Sequence, residues 1–135
     1  MRLLCLAMTA ILLPPVALLH RKEKPEVPLQ RAYQARSTEQ VYAAMVRAAG
    51  IGITSSVQEA CAVNMQWIHA SGGWYTIVRV AASCHDAGNG TFAISLSPQV
   101  STNRLREDDF RDKSVALFWS NIDLQLRPVG SESAR

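Results

Sequence analysis

The chain has 135 residues, of which 48% are hydrophobic and 19% charged, without an internal repeat or a low-complexity tract. That composition suits one ordinary globular core and excludes a disordered or fibrous chain. The formal net charge is +3, but much of the excess is local, in Arg21, Lys22 and Lys24, and acidic residues are interspersed elsewhere, so no basic nucleic-acid face is expected.

Met1-Arg2 precedes an apolar run from Leu3 to Leu19, which Pro14-Pro15 interrupts, and the charged stretch His20 to Lys24 follows. A charged start and an apolar stretch of this length read as a signal peptide or an uncleaved signal anchor; a buried cytosolic segment is the remaining reading. The run is short for a spanning helix, which needs about 20 residues, and no clean small-x-small cleavage site follows it. Cys5 comes too early to be a lipoprotein cysteine. Residues 20–28 (HRKEKPEVP) form a linker, with prolines bracketing charges. Residues 29–127 are expected to make a single domain, and residues 128–135 a disordered tail.

Within that domain, Leu29 to Arg36 is expected as a first strand with Leu29, Arg31, Tyr33 and Ala35 on one side, although Arg31 breaks the apolar pattern. Ser37 caps a helix over Thr38 to Ala49, and Gln40, three residues on, completes a capping box. Val41, Ala44, Met45 and Ala48 recur at helical spacing, and Gly50 ends the helix. Ile51 to Val57 is a short alternating strand, and residues 58–60 connect it onward.

Cys61 to Cys84 follows as a hairpin of two alternating runs around a Gly-containing link. Pairing Val63 with Ala82, Met65 with Val80, Trp67 with Val78 and His69 with Thr76 gathers most apolar side chains on one face. The other face, with Ala62, Asn64, Gln66 and Ile68 against Ser83, Ala81, Arg79 and Ile77, is mixed. A one-residue slip would oppose the apolar set to the polar set. In this register Cys61 faces Cys84, at roughly 4.5 Å between Cα atoms if the pair is not hydrogen-bonded, which is within disulfide range. Two buried free thiols are the alternative, and export decides against it, because a bridge persists in an oxidising compartment. After Cys84, HDAGNG reads as a polar turn, Thr91 to Leu96 as a strand and Ser97 to Asn103 as a loop. Phe92, Ile94 and Leu96 are expected opposite Cys84, Ala82 and Val80. A last helix, capped by Asp108 or Asp109, carries Val115, Phe118, Trp119, Ile122 and Leu126 on one face.

The order β-α-β-β-β-β-α implies an α+β fold: an antiparallel sheet of three to four strands with two helices on one face. Ser37, Glu39, Val41, Tyr42, Ala43, Ala44, Gly50, Ile51 and Ile53 stand where a strand-then-helix motif S-x-E-x-V-(aromatic)-A-A, followed by G-(apolar)-x-I, would place them. In this the chain resembles small bacterial envelope lipoproteins of helix-grip type. The resemblance implies a helix-grip-like fold and an envelope role; the lipid-bearing cysteine is missing from its expected place, so that anchor does not carry over. Fold likeness alone does not supply a function.

The chemistry-bearing residue types do not converge. Cys84 and His85 are neighbours on a strand and point to opposite faces, and an oxidised Cys84 is no nucleophile. His20, His69 and His85 match no ligand spacing; His69 is expected beside Trp74 at the hairpin end. Glu107, Asp108, Asp109 and Asp112 read as an acidic helix start. Asn89-Gly90-Thr91 fits a glycosylation sequon and equally a turn. No metal or cofactor is expected. The expected function is a non-catalytic exported envelope module that binds another envelope protein, periplasmic or secreted, or held to a membrane through residues 3–19. A binder of a small apolar ligand or lipid, in a groove lined by Trp67, Phe118 and Trp119, is the alternative. A thiol or metal enzyme comes last.

Overall fold

A computed structural model describes residues 27–104 and 109–130. The expectations for residues 1–19, for most of the linker, for Glu107 and Asp108, and for residues 131–135 lie outside the described residues.

The architecture is α+β. Six strands form one antiparallel sheet: β1 (Gln30–Gln34), β2 (Ile53–Val57), β3 (Ala62–Ser71), β4 (Trp74–Gly88), β5 (Thr91–Thr102) and β6 (Arg127–Pro128), in the order β2-β3-β4-β5-β1-β6. Two helices, α1 (Thr38–Ala49) and α2 (Phe110–Asp123), share one core with Val63, Met65, Val78, Val80, Ala82 and Ile94 of the sheet. The sheet has more strands than expected. The sixth follows α2 and pairs Gln34 with Arg127 and Tyr33 with Pro128, where a disordered tail was expected to begin. The edge amide of Val129, donating to the carbonyl of Ala32 at 3.0 Å, ties this short segment down.

Helix α1 has the expected bounds, and its start shows why. The backbone N–H of Gln40 donates to Oγ of Ser37 at 3.2 Å. The Gln40 side chain reaches back, accepting from the N–H of Arg36 at 2.7 Å, one residue before the usual capping-box partner. At the other end Gly50 takes φ +57, a left-handed conformation that suits glycine. The chain then makes one 3-10 turn, Gly50–Gly52, so β2 begins at Ile53 rather than Ile51, and Ile51 projects into solvent.

The β3–β4 register is the expected one at each of the pairs named above, from Val63–Ala82 to His69–Thr76. Cys61 and Cys84 form a disulfide with Cα atoms 5.5 Å apart. The wider spacing reflects a hydrogen-bonded rather than a non-hydrogen-bonded pair: the N–H of Cys84 donates to the carbonyl of Cys61 at 2.9 Å. Cys61 itself lies outside the strand, at the end of the turn from Gln58, with φ +48.

The β4–β5 register differs from expectation by two residues. Cys84 faces Ile94 and Ala82 faces Leu96. Strand β4 continues through His85 and Asp86, with an irregularity before Gly88, and only Asn89-Gly90 makes the turn. Both residues have positive φ, +57 and +74, as a two-residue hairpin with right-handed strand twist requires. Residues 97–102, expected as a loop, continue β5. Pro98 is tolerated there for a local reason. The N–H of Leu96 points to β1, donating to Leu29 at 2.8 Å, so the proline nitrogen two residues on faces the same side, beyond the start of β1.

Candidate functional site

Among the described residues, the two layers leave the second face of the sheet without a covering element. Alternation brings Ser55, Asn64, Ala81 and Ser97 into one cross-strand row and Gln66, Arg79 and Gln99 into the next. Nearly all of these are hydrogen-bonding or small. The amide of Asn64 donates to Oγ of Ser55 at 2.9 Å, and Nε of Arg79 donates to Oε1 of Gln66 at 2.9 Å. Thr54, displaced by the bulge in β2, donates from Oγ1 to the carbonyl of Asn64 at 3.1 Å. Small Ala81 and Ser97 sit between the longer side chains, and the result is a shallow concavity of about 480 Å³ on an open face. Its chemistry is that of amides and hydroxyls with one guanidinium. It can hydrogen-bond a polar partner, and exposed Ile68 in the next cross-strand row adds an apolar side chain to the same face.

This surface was visible in the sequence only as the mixed face of the hairpin. Its signal is the polar half of the alternation in β3 and β4, continued by Ser95, Ser97 and Gln99 in β5. A second shallow cleft, about 460 Å³, lies at the end of the sheet beside the Asn89-Gly90 turn, with Arg36 and Arg127 at its rim.

The residues expected to line an apolar groove are placed as follows. Phe118 and Trp119 are buried, with ring centroids 5.6 Å apart. Trp119 also donates from Nε1 to the carbonyl of Pro28 at 2.8 Å and stacks near Tyr33. Both rings are part of the common core. Trp67 is half-buried and lies against Gly52.

Arg31, which broke the apolar pattern of β1, reaches across the layer edge. Its guanidinium carbon lies 5.5 Å from the Trp119 ring centroid and 5.6 Å from that of Tyr33, and its nitrogen pairs with Asp123 at 3.5 Å. The hydroxyl of Tyr33 donates to the same carboxylate at 2.7 Å. Burial holds the Tyr33 phenol well above its ordinary value; the hydrogen bond to Asp123 adds to this, and the Arg31 charge opposes it. Sequence reasoning missed this cluster, because a lone arginine in a strand carries no sign of the helix residue it will meet.

His69 stands beside Trp74, with ring centroids 4.9 Å apart, as expected, and Phe110 adds a second ring at 5.2 Å. Arg104 stacks on the Trp74 ring at 4.1 Å. His85 is exposed while Cys84 is buried, so the two point to opposite faces. Asp109 pairs with Lys113 and Asp112 with Arg111. Asp109 precedes α2 without a side-chain cap to its amides. Among the described residues no three His, Cys, Asp or Glu side chains stand together as a metal set, and no helix is long and apolar enough to cross a membrane.

No family model and no curated protein matches the chain. Among solved structures it is similar to the adenylate sensor from AMP-activated protein kinase in complex with 5-aminoimidazole-4-carboxamide 1-beta-D-ribofuranotide, at 15% identity over 76% of this chain and 98% of that one, with a TM-score of 0.48. A likeness of that size carries neither fold nor function across.

Proposed function

We propose that the chain is an exported, non-catalytic envelope module that binds another envelope protein through the uncovered face of its sheet. The observation that carries the reading is that face itself. It is a hydrogen-bonding surface on a rigid antiparallel ladder, with Gln66, Arg79 and Gln99 around small Ala81 and Ser97. Export is supported by the Cys61–Cys84 disulfide, which is at home in an oxidising compartment, and by the charged-then-apolar start of the sequence, residues 3–19 serving as a signal or an anchor. The helix-grip resemblance of residues 37–53 points to the same compartment.

The test is co-purification from envelope extracts with open-face variants. A stoichiometric partner is expected with the wild type and with Lys113→Glu on α2, and its loss is expected with Ala81→Arg or Ser97→Arg, which fill the concavity. A wild-type chain that recovers no partner, or a partner indifferent to both arginines, overturns the reading. Intact mass with and without reductant tests export separately: the two hydrogens gained on reduction report the bridge, and the mass shows whether residues 3–19 are removed as a signal or kept as an anchor.

A further inference from the structure

The two outer strands of the sheet are blunted, but part of the next one in is not. Edge strands are normally kept from pairing by a bulge, a proline or a charge. Strand β2 has an irregularity at Thr54, and β6 contains Pro128. Strand β2, however, ends at Ile53, opposite Met65, while β3 runs on to Ser71. Gly52 stands beside the carbonyl of Gln66. Among the described residues nothing pairs with the outer edge of β3 beyond that point. This edge reads Trp67-Ile68-His69-Ala70-Ser71, with no charged residue, no proline and no break in register.

The ladder fixes which backbone groups are left over. The N–H of Cys84 donates to the carbonyl of Cys61, so in the same register Trp67–Val78 and His69–Thr76 are hydrogen-bonded pairs. The residues between them turn their backbone groups the other way, as the carbonyl of Asn64 does when it accepts from Thr54 of β2. The N–H and C=O groups of Ile68 and Ala70 therefore point off the edge. Beside them on the open face, Ile68 at 58% and Tyr75 at 37% exposure form an apolar patch with Ala70 and Ile77.

Backbone groups at this spacing fit an extended strand, and the stretch is complementary to itself. We propose that a second copy of this chain pairs antiparallel along residues 67–71, with the two-fold axis at His69. Gly52 occupies the place opposite Gln66, so five residues are available, and this register uses all of them. Ile68 faces Ala70 of the second copy, and Ala70 faces its Ile68. Each is a hydrogen-bonded pair, so the outward groups of both residues are satisfied on both copies. A large side chain meets a small one each time. The patches of Ile77, Ile68, Ala70 and Tyr75 join across the axis into one apolar strip. An interface this short belongs to the small, transient class. It leaves the concavity at Gln66, Arg79 and Gln99 open, so the pairing is independent of the protein partner proposed above.

The test is sedimentation equilibrium of the full chain in a density-matched mild detergent, with residue-resolved amide exchange at the same concentrations. The expected result is a shift from monomer to dimer as concentration rises, with several-fold slower exchange at the Ile68 and Ala70 amides in step with it. The amides of Trp67 and His69, already bonded to β4, should not change. Ala70→Pro removes an outward N–H and leaves the β3–β4 bonds in place, and Ile68→Lys puts a charge on the strip. Both should stay monomeric, whereas Ser97→Arg, on the open face away from this edge, should dimerise like the wild type. If Ala70→Pro fails to fold, Ile68→Lys decides alone. A wild type that stays monomeric with both amides fast overturns the pairing. So does a dimer that leaves them fast or that survives Ile68→Lys. A monomer with both amides slow at every dilution places another segment of the chain on the edge and also overturns it. None of these outcomes bears on the partner reading, which is judged by Ala81→Arg and Ser97→Arg.

Discussion

At Gly52 a Cβ would lie 2.7 Å from Nε1 of Trp67 and 3.1 Å from the carbonyl oxygen of Gln66. The indole is half-buried against the core and the carbonyl belongs to the middle of β3, so neither yields cheaply. Gly52→Ala is therefore expected to destabilise the fold by about 1–3 kcal/mol, the range for overpacking, seen as a lower urea midpoint with an unchanged slope. Tyr33 makes a different demand. Its hydroxyl is buried while its acceptor, Asp123, remains partly open to water. Tyr33→Phe leaves that carboxylate solvated and is expected to cost only about 0.5–1.5 kcal/mol at neutral pH, the net value of one hydrogen bond. The same tyrosine gives a pH dependence. Its folded pKa is raised, so the unfolded chain releases the proton first, near the ordinary phenol value of about 10. Its contribution is complete below that pH and declines as pH rises above it. Urea midpoints across this window should fall more steeply for the wild type than for Tyr33→Phe; equal slopes would remove Tyr33 as the cause.

Elements are legible where a local rule determines them. Helix α1 has a cap, a stripe and a stop, and the structure adds only the displacement of the Gln40 contact to Arg36. The β3–β4 register was legible because a one-residue slip exposes the apolar set. A two-residue slip does not. It keeps each side chain on its face, so alternation alone could not choose between Phe92 and Ile94 as the neighbour of Cys84. The choice depended on where the turn lies, and the polar composition of HDAGNG hid the fact that Asn89-Gly90 suffices. Asn89→Ala tests that turn. Alanine at φ +57 costs about 1–2 kcal/mol, whereas Asn89→Gly should be tolerated. Chemical-denaturation midpoints should therefore rank alanine below both asparagine and glycine. Strand β6 and the end of β5 were hidden for another reason. Composition marks them as loop, and only pairing partners distant in sequence make them strand. The open sheet face was legible as a mixed surface, but its role was not, because uncovered faces are defined by where the helices go.

For the whole molecule the question is what holds the edge of the sheet away from the helix-packed centre. Strand β2 meets α1 at its outer end through the Tyr42 hydroxyl, which donates to Oγ of Ser56 at 2.7 Å. Strand β3 carries β2, and its open end, far from the Ser71–Trp74 link, is where a hairpin frays. The disulfide sits at that end and holds Cys61 in a left-handed conformation that a non-glycine residue seldom adopts. It joins residues 23 apart in sequence, and in the chain-entropy description a loop of that size stabilises by about 3 kcal/mol. Cys61→Ala/Cys84→Ala should therefore lower the melting temperature by about 4–8 °C for each kcal/mol lost. The loss should also be local. Amide exchange is expected to accelerate most at Ala62 to Met65 and in the adjoining β2, and least at Ile94, which the core and the β1 ladder hold independently. Uniform acceleration would mean that the bridge acts only through the unfolded chain. An unchanged melting temperature under reductant, with the thiols shown to be free, would mean that the hairpin needs no staple, and the disulfide would then say nothing about the compartment in which the protein works.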